Sequence, residues 1–300
     1  MTQENLVGRT VAGYRLLQHV GEGGTAAVYR AEHQDRGLTA LKVLRSRMGQ
    51  DPVAVKRFLR EAEYGARVDH PNIVKTYDFG ETDGLYYLAL EWAEGEPLAT
   101  FATRSGQLAP ELVATMIDQL GGALATAHGK GIIHRDLKPA NIMYDPATQK
   151  LKLLDFGIAR DADLQPEERL TRTGFFVGTL QYVAPEALSG ELVNEQADVY
   201  SLATITYYLL AGTLPYNGRS PRELFQQLLS QPPIPLNQAR KGLKFSNELE
   251  AAVMKGLDRD RAKRSKTVDE FVAGVTTAIR SEGEKKGGGL LSGLFRRKPS

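Results

Sequence analysis

The sequence predicts an α+β chain of two unequal halves, a small strand-rich half with one main helix and a larger helical half. Three observations predict it. Residues 14 to about 90 alternate between apolar and polar in short runs split by turn residues, the period-2 pattern of strands. After residue 95 the apolar spacing lengthens to that of helices. Val199 to Ala211 is a near-apolar run of 13 residues, short of the roughly 20 that span a bilayer, and so reads as a buried helix.

The elements follow in order. Tyr14-Arg-Leu-Leu-Gln-His-Val alternates loosely, and Ala27-Val-Tyr-Arg-Ala-Glu-His and Thr39-Ala-Leu-Lys-Val-Leu are further strands. Asp51-Pro52 opens a helix to about Val68, because proline suits the first turn and Val55, Phe58, Leu59 and Ala62 recur at helical spacing. Ile73 to Phe79 and Leu85 to Leu90 are strands parted by a turn at Asp83-Gly84. Pro110-Glu111 starts a helix carrying Leu112, Met116, Leu120 and Leu124. Strand-like pieces fall at 132–133, 141–144 and 151–154, and helices at 195–211, 221–230, 246–257 and 267–280. Glu282 to Lys286 with Gly287–Gly289 reads as a charged, glycine-rich linker.

Composition bounds the function. The 300 residues are 42% hydrophobic and 25% charged and contain no cysteine, which excludes disulfides, thiolate metal sites and Cys nucleophiles. The net charge of +2 is divided between a net +3 in Ser281–Ser300 and a net −1 in the rest, so no electrostatic nucleic-acid binder is expected. The first residues hold an early acid and no apolar stretch of signal-peptide length, and the expected location is the cytoplasm.

Gly21-Glu22-Gly23-Gly24 lies between two strands. A phosphate needs close backbone approach and N–H groups aimed at it, and glycines permit both. A plain hairpin turn remains the alternative, while a dinucleotide loop is disfavoured because strand rather than helix follows. Three later segments change the odds: His134-Arg-Asp136-Leu-Lys138-Pro-Ala-Asn141, Asp155-Phe-Gly157 and Ala184-Pro-Glu186. With Ala40-Leu-Lys42 they occur in the order seen in eukaryotic-type (Hanks-type) protein kinases, and the chain resembles the bacterial Ser/Thr branch of that family over roughly Tyr14 to Arg280.

The resemblance implies a bilobal kinase fold: an N-terminal extension 1–13, a small lobe 14–90, a hinge 91–94, a large lobe 95–280 and a glycine-rich basic tail 281–300. It implies transfer of the γ-phosphate of ATP to Ser or Thr hydroxyls of protein substrates. Asp136 would orient the acceptor and take its proton, and Lys138 would neutralise γ-phosphate charge. Lys42 would contact the α- and β-phosphates, anchored by Glu61, with Glu63 the rival. Asn141 and Asp155 would hold Mg²⁺, with Mn²⁺ a substitute, through hard oxygen atoms. Val20, Gly21, Glu22, Gly23, Gly24, Val28 and Ala40 would cover the nucleotide, and Leu90, Glu91 and Ala93 would line the hinge beside Trp92.

The same resemblance assigns supporting roles. Glu186 and Arg264 would form a buried ion pair. Asp198 would hold the catalytic loop through backbone N–H bonds, and Thr179 would tie the substrate loop to Asp136 and Lys138. His134 reads as a core histidine without proton chemistry. Thr171 and Thr173, near Arg169, Arg172 and Arg135, are expected autophosphorylation sites served by a transient dimer. Gly65, where an apolar side chain is usual, would leave the helix loosely coupled. The tail reads as solvated; Leu290, Leu291, Leu294 and Phe295 before Arg296-Arg297-Lys298 offer weak contact with an anionic membrane or a partner as the alternative. A nucleotide-binding scaffold without transfer and a small-molecule phosphotransferase are the competing functions. The complete set Lys42, Glu61, Asp136, Asn141 and Asp155 speaks against the first, and Ala184-Pro-Glu186 with Thr179 against the second.

Overall fold

Alternation in the first ninety residues builds an antiparallel sheet. Its strands are β1 Thr10–Val11, β2 Tyr14–Glu22, β3 Ala26–His33, β4 Gly37–Leu44, β5 Thr76–Thr82 and β6 Leu85–Glu91, in the order β1-β2-β3-β4-β6-β5. The computed structural model describes residues 6–155, 180–189 and 191–294, with side chains to residue 284. Register decides which face each side chain takes. Val28 sits opposite Lys42, and Arg30 opposite Ala40, which in turn pairs with Leu90. The intervening Tyr29, Ala31, Leu41, Val43 and Ala89 fall on the other face and are buried with Leu6, Val11, Tyr14 and Leu16.

Between β4 and β5 run α1 Ser46–Gly49 and α2 Pro52–Arg67. The Asp51 side chain caps α2, accepting from the Val53 N–H at 2.9 Å and from that of Ala54 at 3.4 Å. Phe58 and Ala62 of α2 pack with Ala26, Leu44 and Leu88. Gly65 differs from expectation. A Cβ there would lie 2.8 Å from Thr76 Oγ1, so the bare glycine lets α2 lie directly against β5 instead of loosening it.

The larger half contains β7 Glu96–Pro97, α3 Leu98–Ser105, α4 Pro110–His128, β8 Ile142–Asp145 and β9 Lys150–Leu153. It continues with α5 Pro185–Leu188, α6 Gln196–Ala211, α7 Pro221–Ser230, α8 Asn247–Gly256 and α9 Val268–Leu294. Of the 16 residues of α6, Tyr208 and Gln196 alone are not buried. Its buried Thr204 and Thr206 donate back to Tyr200 O at 2.9 Å and Leu202 O at 2.8 Å, which satisfies their hydroxyls. Gly95 has φ +96°, and any Cβ would collide with the Tyr144 carbonyl, so the chain crosses β8 only as glycine.

Three expectations are corrected. The strand placed at Ile73 begins at Thr76, because 72–74 instead exchange backbone bonds with β9: the Leu153 N–H donates to Asn72 O at 2.8 Å and that of Val74 to Leu153 O at 3.0 Å. No strand forms at 132–133; Ile132 is a core residue of the helical half. The expected N-terminal extension packs on the sheet, where Val11 pairs with Tyr14 and Leu6 and Val11 are buried. Helix α9 continues through the expected glycine linker to Leu294, extension of a formed helix needing no new nucleus.

Candidate active site

Lys42 lies on β4 facing away from the outer core, and α2 brings Glu61 to it. Lys42 Nζ donates to Glu61 Oε1 at 2.6 Å and to Asp155 Oδ2 at 3.0 Å. Glu63, the rival, is exposed. Three segments from both halves therefore meet on one ammonium. The Lys42 and Glu61 side chains are 12% and 17% exposed, while that of Asp155 is 40% exposed and leaves the cluster open on one side. Burial opposes charge on Lys42, but the Asp155 and Glu61 carboxylates outweigh it and hold the ammonium above the ordinary lysine range. Burial pushes Glu61 upward, Lys42 opposing and neighbouring Asp155 adding to the rise. Desolvation would raise Asp155 also, but Lys42 holds it below the usual carboxylate range. Two carboxylates share one cation, a surplus of negative charge suited to a further cation.

Facing this cluster is the loop 134–141. Asp136 Oδ2 accepts from Lys138 Nζ at 2.9 Å and from Asn141 Nδ2 at 3.0 Å. Asn141 Nδ2 also donates to Asp136 O at 2.9 Å, which commits the amide nitrogen and leaves the amide oxygen for a hard cation. No cluster of three or more His, Cys, Asp or Glu suited to a metal occurs among the described residues. A site of one carboxylate and one amide oxygen fits Mg²⁺, which keeps waters and substrate phosphates as its other ligands.

The loop is held in an uncommon shape. Arg135 has φ +64°, a left-handed conformation that surrounding contacts must enforce. Asp198, fully buried at the head of α6, accepts the N–H of His134 on Oδ2 at 2.7 Å and that of Arg135 on Oδ1 at 2.9 Å. His128 Nε2 lies 2.8 Å from Asp198 Oδ2. Although burial would raise the Asp198 carboxyl, the His128 bond and neighbouring His134 hold it low. His134 itself is buried, which lowers its pKa and keeps it neutral, and its Nε2 lies 3.3 Å from Leu154 O. The His128 partner was not foreseen, since a lone histidine at a helix end carries no distinctive spacing.

Glu186 and Arg264 form a bidentate pair, Nη1 to Oε1 at 2.7 Å and Nη2 to Oε2 at 3.0 Å. Arg264 also donates to Gln196 O at 2.7 Å and Asp258 O at 2.9 Å, and stacks 5.1 Å from the Tyr200 ring centroid.

Above the cleft, Val28, Ala40 and Leu90 share one sheet face with Lys42, and the loop holding Gly21, Glu22, Gly23 and Gly24 turns between β2 and β3. Val20, before the loop, is exposed. Ala26, where a third glycine is common, pairs with Leu44 and is buried. Glu91 ends β6, followed by Trp92 and Ala93, and Arg30 lies 5.6 Å from the Trp92 ring centroid. Glu91 is also tied to the helical half, its Oε1 2.7 Å from Lys152 Nζ, an ion pair the sequence did not announce. Thr171, Thr173, Thr179, Arg169 and Arg172 lie outside the described residues, as do the side chains of Leu290, Leu291, Leu294, Phe295, Arg296, Arg297 and Lys298.

Comparison with known proteins places this geometry. The family model described as the protein kinase domain matches residues 14–276. The chain is 35% identical over 277 residues to the serine/threonine-protein kinase pkn3 of Myxococcus xanthus, covering 90% of this chain and 51% of that protein. It is 34% identical over 278 residues to the serine/threonine-protein kinase PrkC of Bacillus subtilis, covering 91% and 42%. PknB of Mycobacterium tuberculosis is 37% identical over 277 residues, covering 90% and 43%. The chain thus spans about half, or less, of these relatives' length. Among solved structures, the kinase domain of M. tuberculosis PknI superposes with a TM-score of 0.70 at 31% identity, covering 90% of this chain and 98% of that one. Rad53 residues 1–466 in complex with AMP-PNP gives 0.70 at 27% identity, covering 88% and 65%.

Proposed function

The chain belongs to the protein kinase family, and from that premise we propose that it is an ATP-dependent Ser/Thr protein kinase domain of the bacterial branch. The observation that carries the reading is Lys42 held between Glu61 and Asp155, three segments far apart in sequence meeting on one ammonium. Phosphoryl transfer asks mainly for positioning and charge neutralisation. Lys42, kept charged by its two carboxylates, donates to the α- and β-phosphates. Asp155 and the Asn141 amide oxygen would hold Mg²⁺, or Mn²⁺ in its place, and the ion would supply charge neutralisation for the phosphates.

Asp136 accepts a hydrogen bond from the Ser or Thr hydroxyl of a protein substrate. The hydroxyl oxygen forms the new bond to γ-phosphorus, the bond to the β-γ bridging oxygen breaks, ADP leaves, and the hydroxyl proton passes to Asp136. Lys138, already 2.9 Å from Asp136, lies close enough to screen the moving charge. Val28, Ala40 and Leu90 pack on the adenine, and backbone groups of Glu91 and Ala93 read its edge. Scaffolds without transfer typically lose at least one of Lys42, Glu61, Asp136, Asn141 and Asp155, and the chain holds them all.

Autophosphorylation of Thr171 and Thr173 during a transient encounter of two copies is the accompanying regulatory proposal, motivated by Arg135 beside the catalytic Asp136. No helix among the described residues is long and apolar enough to cross a membrane. Incubation with γ-labelled ATP, Mg²⁺ and casein tests the central reading. Labelled phosphoserine or phosphothreonine with the wild type and none with Asp155→Asn is expected, and equal labelling by both would overturn it. Phosphopeptide mapping of the same samples tests Thr171 and Thr173.

A further inference from the structure

Gly21, Gly23 and Gly24 contribute no side chains to the loop between β2 and β3, where Glu22 alone among these four carries one, its Oε1 3.5 Å from His19 Nε2 of β2. The loop's tip is a tight turn, with Glu22 opposite Ala27 and the Gly23 N–H donating to Ala26 O at 2.8 Å. The residue that grips this tip comes from elsewhere. Arg45 follows β4, the strand beyond β3, and reaches across the end of β3. Its backbone N–H donates to Thr25 O at 3.0 Å. Its Nη2 donates to Glu22 Oε2 at 2.9 Å and to Gly23 O at 3.0 Å. One residue therefore holds a side chain and two carbonyls of a four-residue tip.

The orientation matters for an anion. In a planar trans peptide the carbonyl and the following N–H point in opposite directions, and the described chain has no cis bond. Drawing the Gly23 carbonyl toward Arg45 turns the Gly24 N–H away from Arg45. A fixed backbone N–H is what a phosphate takes from a glycine loop.

We propose that Arg45 is a positioning residue that pre-orders the glycine loop for the nucleotide phosphates. The proposal rests on the reading of this loop as part of the ATP site. Arg45 acts through Glu22 and the Gly23 carbonyl and does not itself touch the reacting atoms. It raises ATP affinity by removing the ordering that binding would otherwise require.

Calorimetric titration of the full chain with ATP and Mg²⁺, alongside kcat and the KM for casein, tests this on wild type, Arg45→Ala, Arg45→Lys and Glu22→Gln. The expected result for Arg45→Ala is ATP binding weakened about fivefold, the size of one partly exposed charged contact. The casein KM should stay put, and kcat should move less than the ATP affinity. Arg45→Lys, which keeps the charge but loses the fork, should recover part of the affinity. Glu22→Gln should weaken binding less than Arg45→Ala, and the double variant Glu22→Gln/Arg45→Ala no more than Arg45→Ala alone. Unchanged ATP affinity in Arg45→Ala, with or without a lowered melting temperature, would overturn the proposal. Should Arg45→Ala fail to fold, Arg45→Lys and Glu22→Gln carry the same comparison, and wild-type affinity in both overturns it. A wild type that binds ATP without transferring phosphate overturns the kinase reading and leaves the affinity comparison to decide Arg45. A wild type that binds no ATP overturns both.

Discussion

Two charge clusters of the molecule use the same chemistry differently. Arg264 and Glu186 are 1% and 4% exposed, and the arginine's bonds run to both Glu186 oxygens and to two backbone carbonyls, with an aromatic face beside it. That pair is closed and has nothing left to offer a ligand. Lys42 instead faces two carboxylates, one of them open to solvent, so the cluster keeps a surplus negative charge and an approach route. A saturated ion pair holds a fold together, whereas an unbalanced one recruits something. Burial alone would not separate the two, because Glu61 is itself mostly buried.

Breaking the closed pair should have the largest effect. Arg264→Ala leaves the Glu186 carboxylate buried and unpaired, and the expected loss is about 3–5 kcal/mol of stability in a denaturant melt. A variant as stable as wild type would mean the pair is not structural. Breaking the open cluster should act on chemistry instead. Asp155→Asn should lower transfer by about 10²–10³-fold with a melting temperature near that of wild type.

A smaller effect sharpens how the open cluster is assembled. Gly65→Ala puts a methyl 2.8 Å from Thr76 Oγ1 and should push α2 from β5, drawing Glu61 off Lys42. The expected cost is about 1–2 kcal/mol of stability, with kcat/KM down about tenfold. Adding Thr76→Ala should restore most of both, and a fully active Gly65→Ala would show that the close approach is dispensable.

The smallest effect is a pH dependence. Glu61 binds its proton more tightly in the folded chain than unfolded, so its contribution to the stability of the nucleotide-free protein should fall as pH rises from the ordinary carboxylate range toward neutrality, whereas buried His134 contributes the opposite slope near its own ordinary range. Glu61→Gln should lack that part of the slope, which cannot exceed about 1.4 kcal/mol per pH unit. Parallel pH profiles for the two would refute the raised pKa.

The contrast also shows what a sequence discloses. Local spacing carried the strands of the small half, the Asp51-Pro52 helix start and the buried run of α6. Ordered motifs carried Lys42, Asp136, Asn141 and Asp155, because each sits in a short word whose neighbours are informative. Partners supplied by distant segments were not legible. Arg45 is one arginine among many until β4 places it beside the glycine tip, and Lys152 meets Glu91 only once β9 docks below the hinge. Gly65 was misread for the same reason, since the closeness of Thr76 is a fact of tertiary packing. Ile73 looks like strand by composition, yet its neighbours spend their backbone bonds on Leu153.

The most direct measurement is the rate of phosphate transfer from ATP to casein by wild type, Asp155→Asn and Arg264→Ala, taken at a temperature at which melts show all three folded. Transfer lost in Asp155→Asn and largely kept in Arg264→Ala is the predicted result. Transfer retained by Asp155→Asn, or lost to the same degree in both variants, would contradict the division between a reacting cluster and a structural one.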